Sequence, residues 1–228
     1  MRKILLMVLL CVFALSSCSS IKNGASVENF LGEDVIAEFY SEHGREAEFK
    51  KILSVICANG EPLYEFSSPK QMASLYRDRI LSYLVNTGYA KYTGNAQKIA
   101  EAEKKYPKKR ISILVPESDF EYLVYSNFGG ENSVKHENGV VFTYLSKVNA
   151  YTAAGQVAYT PDEIEIQSVK ETENTYIVNF YSIYGGVYSK LHRAVFVKRS
   201  DGTLYLGKLD AIADEKIVIK GGVSDEEE

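Results

Sequence analysis

Residues 163–213 divide into four alternating apolar and polar segments separated by short turn signals, Glu171 to Asn174, Gly185-Gly186 and Asp201-Gly202. Gly-Gly and Asp-Gly supply the positive φ angles that two-residue hairpins require, and connections this short join only antiparallel neighbours. The stretch therefore reads as an antiparallel meander of four strands. A further strand is expected at Val140 to Leu145.

Side chains alternate along a strand, so turn lengths decide which residues share a face. Two-residue turns at the last two connections put Tyr176, Val178, Phe180, Leu191, Val195, Val197, Leu204 and Leu206 on one face, an apolar set that reads as core, with Arg193 opposite Asp210 at its edge. The other face then gathers Ile177, Asn179, Tyr181, Ile183, Tyr188, Lys190, His192, Ala194 and Phe196. A face bare to water would be cleanly polar. This one is mixed, so helices, a partner or a ligand must cover it. The chain has 17 tyrosines and no tryptophan, and tyrosine offers a ligand both a flat ring and a hydroxyl. Asn179, Tyr181, Tyr188, Lys190 and His192 are the candidate binding residues.

The N-terminal half has helical periodicity. Short helices are expected around Val35 to Tyr40 and around Phe49 to Ile56. A longer one starts at the capping sequence Ser68-Pro69-Lys70-Gln71, carries Met72, Leu75, Tyr76, Ile80, Tyr83 and Leu84 on one stripe, and closes at Gly88. A polar helix follows over residues 95–105, then a short strand at Ile111 to Val115. A second capping box at Ser118 to Glu121 opens a helix that Gly129-Gly130 stops. Helices followed by a curved antiparallel sheet of four to five strands make an α+β fold. Its order is loosely similar to the cone-shaped sheets of the nuclear-transport-factor-two type, a resemblance that implies a pocket between helices and sheet.

The first twenty residues concern location. Arg2 and Lys3 precede an apolar run of twelve, Ile4 to Leu15, about right for a signal-peptide core and short of the roughly 20 residues a spanning helix needs. The run ends in Leu15-Ser16-Ser17-Cys18, which resembles a bacterial lipobox, the site at which a cysteine is acylated before cleavage. The resemblance implies a lipoprotein anchored through Cys18 to a membrane of the cell envelope, facing the periplasm or the exterior. Residues 1–17 would be the signal peptide, 18–32 a tether, 33–223 one α+β domain (helices over about 33–130, sheet over about 138–214) and 224–228 an acidic tail. Loss of Arg2 and Lys3 with the signal moves the formal net charge from −4 to −6, which argues against nucleic acid as a partner.

No catalytic or cofactor signature is present. Cys57 is then the one free thiol, in the apolar stretch LSVICA, and reads as a small buried hydrophobe. Ser67 and Lys70 match the S-x-x-K spacing of penicillin-interacting serine enzymes, but helix capping accounts for them and no K-T-G follows. His43 with Glu46 lacks the further ligands of a metal site. Asp162, Glu163 and Glu165 read as a solvated strand edge, and the cations between Lys104 and Arg110 as a wet loop after a helix C-terminus. The leading expectation is a non-enzymatic, lipid-anchored envelope protein that binds a protein partner or small ligand, such as an accessory factor or inhibitor of cell-wall enzymes. The alternatives are an envelope hydrolase with a pocket around His192, and a structural or host-facing surface lipoprotein.

Overall fold

The computed structural model describes residues 44–92, 94–130 and 134–212, all within one compact unit, Glu42–Glu228. The expected signal sequence, Cys18, the helix expected near Val35, His43 and the acidic tail lie outside the described residues. Within them the chain forms five helices and two antiparallel sheets, the α+β arrangement expected, with the larger sheet C-terminal.

Helix α1 (Glu46–Leu53) has Glu46 and Glu48 in its first turn and Lys50 and Lys51 in its last, each set complementing the helix dipole. It buries Phe49, Ile52 and Leu53. Phe49 packs on Phe196 and Tyr176 of the large sheet, ring centroids 4.8 and 5.4 Å away. The single helix expected from Pro69 to Gly88 breaks at Tyr76 into α2 (Pro69–Leu75) and α3 (Arg77–Asn86). Tyr76 is fully buried, and its hydroxyl accepts the Tyr64 N–H and donates to the Tyr64 carbonyl. That pair of bonds ties the break to the preceding loop. Ser68 caps α2 as its sequence suggests, accepting the Gln71 N–H at 3.3 Å, while the Gln71 side chain reaches back to the Ser67 N–H.

Helix α4 (Ala96–Lys105), capped by Asn95, is as polar as expected and buries only Ala102. Ile111 and Leu114 join Ala102 in a small satellite cluster instead of extending a strand, so β1 is confined to Val115–Pro116. Helix α5 (Glu117–Phe128) starts one residue before the expected cap: Pro116 is its N-cap and Ser118 makes no cap bond. Strand β2 is shorter than expected, Thr143–Leu145, and β3 (Ala150–Thr152), which the sequence did not suggest, lies between β1 and β2 in a three-stranded sheet.

The large sheet runs β4 (Glu163–Glu171), β5 (Thr175–Tyr184), β7 (His192–Lys198), β8 (Leu204–Ala211), with the short β6 (Val187–Tyr188) also paired to β5. Its core face is not the one expected. Gly185 and Gly186 do form a tight turn, with φ 57° and 80°, and Ile183 pairs with Tyr188 as a two-residue hairpin requires. The register then slips by one: Phe180 faces His192, not Leu191, and Tyr176 faces Phe196. At the slip the Ser182 N–H bonds to the Ser189 hydroxyl at 2.9 Å, while the Ser189 N–H still reaches the Ser182 carbonyl at 2.7 Å. A side-chain oxygen thus stands in for a ladder carbonyl where the bulge interrupts pairing.

Because a one-residue slip exchanges faces, His192, Ala194 and Phe196 turn into the core and Val195 and Val197 turn outward, reversing the assignment made from turn lengths. Arg193 still faces Asp210, on the outer side. Outside sit Ile177, Tyr181, Val195 and Val197, half-buried and part of neither buried cluster. Inside, Val178, Phe180, Ala194, Phe196, Leu206 and Leu209 close on α1, α2, α3 and α5 in one continuous core.

Candidate functional site

Residues 57–66, between α1 and α2, are laced across the open end of the large sheet. Phe66 and Leu209 exchange backbone bonds at 3.0 and 2.9 Å, the Asn59 N–H bonds to the Thr160 carbonyl, and the Asp162 N–H to the Cys57 carbonyl. The buried Arg79 guanidinium pins the loop from below, donating to the Ile56 and Pro62 carbonyls and to the Glu61 carboxylate at 2.7 to 2.9 Å. Between this loop and the β5–β6 hairpin lies a cleft of about 670 Å³, within the range that holds drug-sized ligands.

Ser182 and His192 lie at the buried end of the cleft, and both are at most 5% exposed. Ser182 donates its hydroxyl hydrogen to Asp162 at 2.6 Å, and the other Asp162 oxygen accepts the Gly60 N–H at 2.9 Å. Gly60 has φ +65°, and a Cβ there would stand 2.6 Å from the Tyr184 ring, so glycine lets that ring pack as the cleft wall. Tyr184, Val187 and Tyr188 form an exposed lip on the hairpin.

His192 is the group with unused capacity. Burial pushes its pKa below 6.5, an effect partly opposed by a hydrogen bond to the Lys190 backbone and by the Glu65 charge. Burial thus favours the neutral imidazole. Its Nδ1 is buried and has no hydrogen-bond partner, an arrangement that ordinarily costs about 1–3 kcal/mol and that a donor on a bound molecule would relieve. Cys57, beside Ser182, is poorly suited to be a nucleophile: burial pushes its thiol up to about 12 despite the neighbouring Ser182 hydroxyl. Among the described residues no group of His, Cys, Asp or Glu could hold a metal ion.

The five candidate binding residues do not form one surface. His192 turns inward, and Lys190 and Tyr188 line the same cleft. Asn179 and Tyr181 stay on the outer face. There Asn179 bonds Ser168 and Arg193, and Tyr181 meets Tyr188 edge-on at 5.5 Å. Of the carboxylates read as a solvated edge, Glu163 and Glu165 are on the outer face, where Glu165 accepts the Tyr188 hydroxyl. Asp162 is buried and belongs to the cleft. Sequence reasoning placed Asp162 on a solvated edge and missed Ser182, Gly60 and Arg79, all of which meet only through the loop over the sheet's end. It had one usable signal for His192: Arg193 shares a face with Val195 and Val197, and a charged residue marks the outer face.

A second polar cluster stands apart from the cleft. His136 contacts the Tyr151 hydroxyl at 2.9 Å and Glu121 at 3.1 Å, and its ring stacks on Tyr144. Every ring nitrogen there is satisfied, which fits a brace between α5 and residues 134–142. Comparison of the chain with protein-family models, with curated proteins and with solved structures finds no match.

Proposed function

We propose that this protein is a non-enzymatic, lipid-anchored lipoprotein of the bacterial cell envelope that holds a small ligand in the cleft over His192. His192 carries the reading: it lines a sizeable cleft, burial favours its neutral form, and its buried Nδ1 has no hydrogen-bond partner. A hydrogen-bond acceptor without a donor suits a ligand that supplies one. Among the described residues that line the cleft, Glu61, Glu65 and Asp162 outnumber the one cation, Lys190, and although Glu61 is paired with Arg79 beneath it the lining keeps a net negative charge. The ligand is therefore an amine or polyol whose apolar body rests on Pro62, Leu63, Val187 and the two tyrosines of the lip.

The hydrolase reading is weaker. A serine nucleophile needs a base poised to take its proton, whereas the Ser182 hydroxyl donates to the Asp162 carboxylate and not to His192, whose Nδ1 is buried without a partner. Anchoring rests on the lipobox resemblance at Cys18, and an intact-mass spectrum of the membrane-extracted protein should show an acylated N-terminus beginning there.

The binding claim is tested by ligand-detected NMR of the full chain in mild detergent against a library of small amines, polyols, carboxylates and neutral apolar compounds. Binders are expected among the amines and polyols, and His192→Phe, which fills the cleft and removes the acceptor, should abolish their signals. Absence of any such binder, or binding unchanged in His192→Phe, would overturn the proposal.

A further inference from the structure

A different groove runs along the exposed side of α5. It begins as a cleft of about 590 Å³ between α5 and the loop after α3, and continues past Lys51, Tyr122, Ser126 and Asn127 into a shallower one of about 290 Å³ that reaches Arg199 and Thr203. Tyr89, Tyr122 and Tyr125 line it with 59%, 71% and 41% of their surface exposed, unusual for rings this large.

The rings are held in place. Tyr89 is stacked on Tyr83 with centroids 6.0 Å apart and planes 12° from parallel, and Tyr83 is braced edge-on by Tyr159 at 5.4 Å. The buried Asp119 carboxylate on α5 accepts the Lys91 N–H at 2.8 Å, which fixes the Tyr89 loop against the helix carrying Tyr122. The Arg199 guanidinium sits 5.1 Å from the Tyr125 ring centre and donates to the Tyr125 and Ser126 carbonyls. Such pre-organisation lowers the ordering cost of binding.

The polar groups beside these rings are unused: among the described residues, the side chains of Lys51, Tyr89, Tyr122 and Asn127 have no hydrogen-bond partner. Charge is balanced, since Lys51, Lys91 and Arg199 share the groove with Glu48, Asp119 and Asp201. A polyanion such as nucleic acid or polyuronate would find no net positive field here.

Flat exposed rings, free hydroxyl, amide and ammonium groups at their edges, and no net charge match one ligand chemistry. We propose that the groove binds a neutral oligosaccharide. The C–H faces of its pyranose rings stack on Tyr89 and Tyr122, and its hydroxyls bond to Lys51 and Asn127. Two clefts in line accommodate several sugar units, so affinity rises with chain length.

The test is calorimetric titration of the full chain in mild detergent with tetrasaccharides of glucose, mannose and N-acetylglucosamine, their monosaccharides, and tetragalacturonate as the anionic counterpart. At least one neutral tetrasaccharide should bind, at least tenfold more tightly than its monosaccharide. Tyr89→Ala and Tyr122→Ala, both at exposed positions, should each weaken it at least tenfold, whereas Tyr122→Phe and Tyr64→Ala should not. His192→Phe should leave sugar binding intact, so this result stands or falls apart from the cleft over His192. Failure of every neutral tetrasaccharide to bind, preference for tetragalacturonate, or unchanged affinity in both alanine variants would overturn the proposal.

Discussion

Phe180 and His192 face each other across the β5–β7 ladder with ring centroids 5.8 Å apart, the position an unslipped hairpin would give to Leu191. That one-residue displacement turns an imidazole from the outer face of the sheet to the buried end of a cleft. It depends on Ser189, whose hydroxyl accepts the Ser182 N–H.

Ser189→Ala leaves that N–H, on a residue 5% exposed, without its acceptor. A loss of about 1–3 kcal/mol follows, measurable as a lower urea midpoint at unchanged slope. Equal stability of the variant would mean that the slip is held by something other than this hydroxyl.

Gly60→Ala meets two obstacles, the left-handed backbone and the Tyr184 ring 2.6 Å from the new Cβ. The expected cost is about 1–3 kcal/mol, with Tyr184 displaced from the cleft wall and ligand signals reduced. A variant as stable as the parent would contradict the packing described.

Arg79 satisfies two loop carbonyls and Glu61 from a position 7% exposed. Arg79→Ala should cost about 2–4 kcal/mol and loosen residues 57–66, seen as faster amide exchange there. Arg79→Lys should recover only part of this, because one ammonium cannot reproduce the planar fork.

Acidification should weaken both stability and ligand binding through His192. The folded protein holds this imidazole neutral with its pKa below 6.5, whereas the unfolded chain regains the ordinary value. Below about pH 6.5 the unfolded state therefore binds a proton that the folded state does not. This contribution is complete above that pH and is lost as pH falls toward the lowered native value. Comparing urea midpoints at about pH 7.5 and about pH 5, the parent should lose more than His192→Phe does. Equal losses would show that His192 is not held neutral.

Much of the fold was legible because its signals are local. The Ser68 cap, the Asn174, Gly185-Gly186 and Gly202 turns and the two-residue strand period each act within a few residues. The break at Tyr76 was not legible, since it follows from a hydroxyl bond to Tyr64 across a loop. Nor was β3, a three-residue strand too short to display a period. The core face of β7 was misread because Leu191, Val195 and Val197 are the more apolar set, and the opposing signal, Arg193 on their face, was outweighed. The bulge at Ser189 sets the register, and bulges leave little trace in sequence. Of the cleft, Tyr188, Lys190 and His192 were nominated for the wrong reason, as members of an outer face. Asp162 and Ser182 meet through strand register, 20 residues apart, beyond the reach of any local pattern.

Native mass spectrometry of the full chain, extracted in mild detergent from the cells that make it, tests the central claim most directly. The account predicts a non-covalent small-molecule adduct on the parent that is missing from His192→Phe prepared identically. The same spectrum from both proteins would contradict it.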